Sequence, residues 1–279
     1  MDPESPGADD WREQFTEEAR CERPDLATLC LLIGAVADPG LGQGGLDAAQ
    51  VELDRLAGLL PYGVGDARSW AEALAELLGG ACDFRGTPAE YQRLESSLLP
   101  QVLRRRRGLP ILLSVIWIEV ARRAGAPVYG VALPGHFVVG FGAAQDRVLA
   151  DPFNGGRPLT GADAELLVAG ATGAPLDPSM LTPADPLAIV LRILNNIRAW
   201  AAARPEQSAV ALWALDLSLL LPTHPARLRY DRAQLLVQRG DFLAGAAELD
   251  LYADVLEPVE PRTAETIRGR ARAARAMLN

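Results

Sequence analysis

Residues 104–156 read RRRRGLPILLSVIWIEVARRAGAPVYGVALPGHFVVGFGAAQDRVLADPFNGG, and the succession of patterns in this stretch decides the fold. Residues 111–124 are apolar nearly all round, with Glu119, Arg122 and Arg123 as the only charges, which predicts a helix buried in the centre of a domain. Gly125 supplies a C-cap and Pro127 stops the helix from continuing. Residues 128–133, 137–141 and 147–150 are short β-branched or aromatic runs separated by Pro134-Gly135 and by residues 142–146, so they read as a meander of three antiparallel strands. A buried helix and a small antiparallel sheet inside an otherwise helical chain predict an α+β protein.

His136, one of only two histidines, follows the Pro-Gly turn and opens a strand, and Asp151 ends the strand after it. An antiparallel hairpin of this kind brings the two side chains within hydrogen-bond reach, where the carboxylate fixes the imidazole tautomer and raises its basicity. Two readings follow: two thirds of a nucleophile, histidine and acid triad, or a structural pair that pins a hairpin. A metal held by His136 and Asp151 would have too few ligands, so neither a metal nor another cofactor is expected.

On the N-terminal side, residues 1–10 are rich in Pro, Gly and Asp and are expected to be unstructured. Apolar residues are dense at helical spacing over residues 11–37. Residues 38–45, DPGLGQGG, place Gly40, Gly42 and Gly45 in the GxGxxG arrangement used against a dinucleotide pyrophosphate. The segment before them is long enough for a helix, and Pro39 is an ordinary helix stop, so these glycines read as an interhelical loop. Residues 47–60 and 67–78 carry two amphipathic patterns. Thr87, Pro88 and Glu90 supply a cap, a first-turn proline and an early acid, predicting a helix that runs to Leu103 with a kink near Pro100. Residues 104–107 form the only basic cluster of note, read either as a solvated turn or as a site for an anion or acidic partner, with Arg107 as its candidate binding residue.

On the C-terminal side the helical pattern returns after Thr160 and breaks around residues 175–186. Helices are expected over 188–203, 208–221, 225–239, 242–256 and 263–278, with short joints that suit helical hairpins. Within residues 229–258 the spacing of Ala233, Leu236, Gly240, Phe242 and Leu249 approximates one tetratricopeptide unit, a repeat of about 34 residues. Stacked units of this kind present a surface for a peptide or partner protein.

Composition narrows the function classes. The chain has 279 residues, 49% of them hydrophobic, enough for a core without disulfides or metal. No apolar run reaches the roughly 18 residues of a membrane-spanning helix, and the opening MDPESPGADDWREQ is acidic where a secretory signal would be basic and then apolar. No membrane association and a cytoplasmic location are therefore expected. Cys21, Cys30 and Cys82 form no CxxC pair and are odd in number, so they read as buried free thiols. A net charge of −9 argues against a general affinity for nucleic acid.

The combination RRxGxPIxLS, EVARRxGxPVYGVxLPGHFxV and DPFNGG resembles the transglutaminase-like core, in which a helix opens with G-x-Cys and ends at G-[IA]-P, a strand begins with His, and a D-P pair follows. The resemblance is closer to the SirB family of bacterial transglutaminase-like proteins, whose core is followed by tetratricopeptide-type helices. It extends from about Asp83, with its FRG, through Gly156, and more loosely over the tail. It implies a papain-like Cys, His, Asp site, a transglutaminase-like domain over residues 11–182 and a helical TPR-like domain over 183–279. His136 and Asp151 fall in their implied places, but aligning Gly125 and Pro127 on the G-[IA]-P places Pro110 where the nucleophilic cysteine belongs. Proline is well tolerated in a helix's first turn and can attack nothing.

Ser114, one turn along the same helix face, is the candidate replacement nucleophile. The opposing reading is a serine satisfied on the carbonyl a turn earlier. Glu119, alone on an apolar helix, needs an arginine partner or serves as a binding residue. The expected function is therefore a degenerate, non-catalytic module that binds a peptide or protein near His136, Asp151 and Asn154. The alternative is a hydrolase or acyl transferase using His136 and Asp151 with Ser114 or a cysteine outside the alignment.

Overall fold

Pro24 and Asp25 break the N-terminal apolar stretch into two helices, α1 (Ala8–Ala19) and α2 (Leu26–Ala37), the second capped by the Asp25 carboxylate, which accepts from the Thr28 amide at 2.8 Å. This computed structural model describes residues 7–278, and there the chain divides into two compact units, Met1–Ile193 and Leu194–Asn279. The boundary falls later than the expected junction at residues 182/183. Of the ten residues expected to be unstructured, 1–6 lie outside the described residues, whereas 8–10 already belong to α1.

In the N-terminal unit α3 (Gly42–Ala57) starts earlier than the sequence pattern implied. Residues Pro39–Leu41 form a single 3₁₀ turn in place of a loop, so Gly42 of the GxGxxG run, at φ 59°, opens the helix and Gly45 lies within it. The glycine cost is offset by burial of Leu46, Ala49, Leu53 and Leu56 along one face. Next comes α4 (Ala67–Leu74), which widens into a π-helical stretch over Ala75–Ala81.

The single helix expected over 88–103 is instead two 3₁₀ turns followed by α5 (Leu99–Arg105). Pro100 fits only the first turn of a helix, so the helix has to restart there. The turns upstream bring the buried Glu90 and Ser96 together at 2.6 Å, and Arg105 closes on both, at 2.8 and 3.2 Å.

α6 (Pro110–Arg123) is buried from Pro110 through Ala121, in keeping with its all-round apolar sequence. It packs on the antiparallel meander β1 (Val128–Val131), β2 (Val138–Phe141), β3 (Val148–Asp151) and β4 (Arg157–Leu159). The strand order is β1-β2-β3-β4. β4 lacks a sequence signature because it is three residues long and contains Pro158, which only an edge strand accommodates. α7 (Gly161–Thr172) closes the sheet through Ala164 and Val168, which join Val131, Leu133, Val138 and Leu149 in one apolar cluster. The protein is thus mainly helical around a small antiparallel sheet, as the α+β reading requires.

α8 (Pro186–Ala202) contains the boundary between units. The C-terminal unit continues with α9 (Ser208–Leu220), α10 (Arg227–Gln238), α11 (Phe242–Leu256) and α12 (Pro261–Ala276), close to the expected bounds. Its core is mostly alanine: Ala233, Ala246, Ala253, Ala264 and Ala271 pack with Leu249 and Ile267. Small side chains let successive helices approach closely, the packing that stacked helical hairpins need. Among the described residues no single helix is long and apolar enough to cross a membrane.

Candidate functional site

The meander brings His136 and Asp151 together. Register pairs Val139 with Ala150, so the residues just before β2 lie beside the end of β3. There His136 Nε2 and Asp151 Oδ1 are 3.0 Å apart. The Asp151 side chain is only 1% exposed and that of His136 12%, so the acid is buried behind an imidazole that keeps a small exposed edge. Asp151 also accepts the Phe153 amide on Oδ1 at 3.0 Å and the Asn154 side-chain amide on Oδ2 at 2.6 Å. Burial pushes its carboxyl up and is the largest single influence. The hydrogen bond and charge of His136, then the Asn154 and Phe153 donors, together outweigh it and hold the carboxyl below its ordinary value.

Close packing fixes the loop that carries these groups. A Cβ on Gly86 would lie 1.9 Å from the Phe153 ring, and the Gly86 amide donates to the Phe153 carbonyl at 2.9 Å. A Cβ on Gly79 would lie 1.9 Å from the Gly155 carbonyl oxygen. Gly79 and the FRG segment therefore meet the DPFNGG segment, about 70 residues further on, at positions where only glycine fits.

Three residues of this neighbourhood were not singled out in the sequence. Phe153 sets its ring edge-on to His136, centroids 6.0 Å apart, and Tyr91 packs against Phe153 at 6.3 Å. Burial pushes the Tyr91 phenol up, with Arg192 opposing and Asp151 adding, so this half-exposed ring lies within electrostatic reach of both. Arg192 of α8 donates from Nη2 to the carbonyls of His136 at 2.7 Å and Leu133 at 2.9 Å, spanning the Pro134-Gly135 turn. Its guanidinium stacks over Phe137 at 5.6 Å. A lone arginine in the apolar run LAIVLRILNNI was the available signal, since a charge there needs a buried partner.

Pro110 stands at the first turn of α6, buried, where the alignment places a nucleophile. The Ser114 hydroxyl is fully buried and donates to the Phe137 carbonyl at 3.3 Å. It is thus satisfied across the α6–β2 interface, neither on its own helix nor on the imidazole. Among the described residues no serine or cysteine side chain hydrogen-bonds to His136. Cys30 and Cys82 are buried, and burial strongly raises the Cys30 thiol. Cys21 is exposed, contrary to the expectation that all three thiols are buried.

Glu119 lies about 14 Å of helix rise beyond Pro110 and is neutralised by Arg122 at 2.8 Å and by Arg123. Arg107 is committed to Asp83, Nη2 to Oδ2 at 2.6 Å, and also donates to the Asp83 carbonyl. Glu119 is paired within its own helix and Arg107 ties the end of α5 to the segment around Asp83, and neither contacts the His136–Asp151 pair, whereas Asn154 does through Asp151. No cluster of three or more histidine, cysteine or acidic side chains able to hold a metal occurs among the described residues.

Fold and site together define a transglutaminase-like core followed by tetratricopeptide-type helices. Residues 47–195 match the transglutaminase-like superfamily and residues 197–279 the tetratricopeptide repeat. With just over half of its length in the first match, the chain belongs to the transglutaminase-like superfamily. A UPF0162 protein of Xylella fastidiosa is 39% identical over 177 residues, covering 61% of this chain and 62% of that protein. A UPF0162 protein of Pseudomonas aeruginosa is 33% identical over 164 residues, 57% and 59% of the two chains. The match thus spans about three-fifths of these bacterial relatives. Mouse F-box only protein 21 is 26% identical over 174 residues, covering 60% of this chain and 26% of that protein. A crystal structure of menin, described as revealing the binding site for the Mixed Lineage Leukemia protein, aligns with 96% of this chain and 72% of its own at 14% identity and a TM-score of 0.46.

Proposed function

We propose that the protein is a non-catalytic, degenerate member of its superfamily, of the SirB type. It binds a peptide or protein segment in the cleft beside His136, Asp151 and Asn154, with Phe153 and Tyr91 as the apolar wall, and acts as a regulatory module. The observation that carries this reading is the pairing of an intact base and orienting acid with a buried proline at the nucleophile position. Acyl transfer through a covalent intermediate needs a thiol or hydroxyl within hydrogen-bond reach of the base. The only candidate on α6, Ser114, spends its proton on a carbonyl. The C-terminal helices add a second protein-binding surface in this reading, as tetratricopeptide units generally do. Recurrence of the core inside the much longer mouse F-box only protein 21 fits a region used as a binding module.

The test is labelling of the full chain at neutral pH with iodoacetamide and with a fluorophosphonate, read by intact-mass spectrometry. The expected result is only slow, His136-independent alkylation of thiols. Rapid stoichiometric labelling of Ser114 or one cysteine, lost in His136→Ala, would overturn the reading in favour of a hydrolase or acyl transferase.

A further inference from the structure

The four consecutive arginines of residues 104–107 divide into two kinds. Arg105 and Arg107 turn inward onto the carboxylates of Glu90 and Asp83. Arg104 and Arg106 have no carboxylate within ion-pair distance among the described residues. Arg104 donates to Gln101 Oε1, and Arg106 to the Cys82 carbonyl at 3.0 Å. Arg106 also holds a left-handed backbone, φ 57°, at the C-cap of α5, a conformation that costs a non-glycine residue of order 1 kcal/mol. The alternation is thus built into the backbone.

Arg106 also lies over the Phe84 ring, 6.0 Å from its centroid, and both Arg104 and Arg106 line a groove of about 400 Å³ between α3 and α5. Its floor is apolar, made by Leu41, Ala48, Ala49, Pro100 and Leu103. α3 leaves room for the groove by presenting Gly45, Ala48 and Ala49 along this edge. The acid at the rim, Glu52, is bound to Arg55 at 2.6 Å. On a chain of net charge −9, this groove combines an apolar lining with two arginines that have no carboxylate within ion-pair distance.

We propose that this groove docks an acidic segment of a partner protein. The segment inserts one bulky apolar side chain between α3 and α5 and lays its carboxylates against Arg104 and Arg106. Apolar anchorage supplies the affinity, and the guanidinium groups select acidic over basic flanks. The surface is separate from the His136 cleft and does not depend on what that cleft binds.

The test uses the full chain and three end-blocked, fluorescein-labelled peptides: Glu-Glu-Trp-Glu-Glu, Glu-Glu-Ala-Glu-Glu and Lys-Lys-Trp-Lys-Lys, titrated by fluorescence anisotropy. The acidic tryptophan peptide is expected to bind, and to bind more weakly as salt rises. Arg104→Glu should weaken it by about tenfold or more. Ala48→Leu, at an exposed position whose longer side chain fills the groove, should do the same. So should Arg106→Gly, which removes the cation while giving the left-handed backbone the residue it prefers. Failure of the acidic tryptophan peptide to bind at about 1 mM, equal binding of the alanine peptide, or affinity unchanged in the variants overturns the proposal. Displacement by inorganic phosphate that persists in Ala48→Leu would also overturn it, by showing an ion site with no apolar anchor.

Discussion

Replacing Asp151 by alanine tests whether the His136 pair is coupled to the stability of the N-terminal unit. The carboxylate is 1% exposed and accepts from His136, the Phe153 amide and the Asn154 side chain. Asn154 is exposed and finds water once released, so its loss counts for little. The other two are charge-assisted bonds worth roughly 1.5–3 kcal/mol each, a gross loss of about 3–6 kcal/mol. Against that, alanine has no buried charge to desolvate, and desolvation is the largest opposing influence on this carboxyl. The expected net destabilisation is about 2–3 kcal/mol, a fall in melting temperature of roughly 4–12 °C for a unit of this size.

The pH dependence carries a sign that a simple packing loss would not. A carboxyl held below its ordinary value contributes stability fully above the unfolded value, about 3.9, and loses it as pH falls through the folded one. The melting difference between wild type and Asp151→Ala should therefore shrink as the solution is taken below about pH 4. Thermal melts of both proteins at a series of pH values decide the matter. Equal melting temperatures at pH 7, or a difference that does not change on acidification, would refute the coupling.

Other substitutions probe the same frame. Gly79→Ala drives a Cβ to 1.9 Å from the Gly155 carbonyl, which is backbone and cannot rotate away, so a stability loss of about 1–3 kcal/mol is expected in urea titrations. Arg192→Met strips two carbonyls of their donor and should cost about 1–3 kcal/mol in the same titrations, while shifting the His136 ring resonances in NMR spectra. Pro110→Cys returns a thiol to the position the alignment assigns to the nucleophile. Its alkylation by iodoacetamide at pH 6 should outpace that of the exposed Cys21, and Pro110→Cys with His136→Ala should lose the advantage.

Much of the frame was legible because its signals are local. The apolar circumference of α6, the Pro-Gly turn before His136 and the Asp-Pro after β3 each act over a few residues, and each appears where the pattern placed it. What escaped was non-local or cancelled locally. Upstream of the restart that Pro100 imposes, residues 88–97 form 3₁₀ turns in which Glu90 and Ser96 meet Arg105, a contact that periodicity does not report. β4 owes its existence to pairing with β3, Asp151 opposite Arg157, and Pro158 hides it from any strand pattern. At the site, His136, Asp151 and Asn154 come together, but Tyr91 and Arg192 arrive from distant turns of the chain. Arg107 and Glu119, singled out for their charge, are spent on ion pairs because a charge withdrawn from water is stable only when paired.

The clamping of the DPFNGG loop by Gly79 and Gly86 bears on the binding role proposed for the His136 site. A wall whose backbone is already wedged between two others has little conformational freedom left to lose, so a ligand meeting Asp151 and Asn154 incurs almost no ordering cost on that side. Accommodation falls instead on Tyr91, which packs against Phe153 from a short 3₁₀ turn and is half exposed. The asymmetry predicts recognition by a preorganised half and an adaptable half: ligands sharing the contacts to Asp151 and Asn154 but differing in bulk should differ in dissociation rate through Tyr91 more than in the geometry they adopt against the loop.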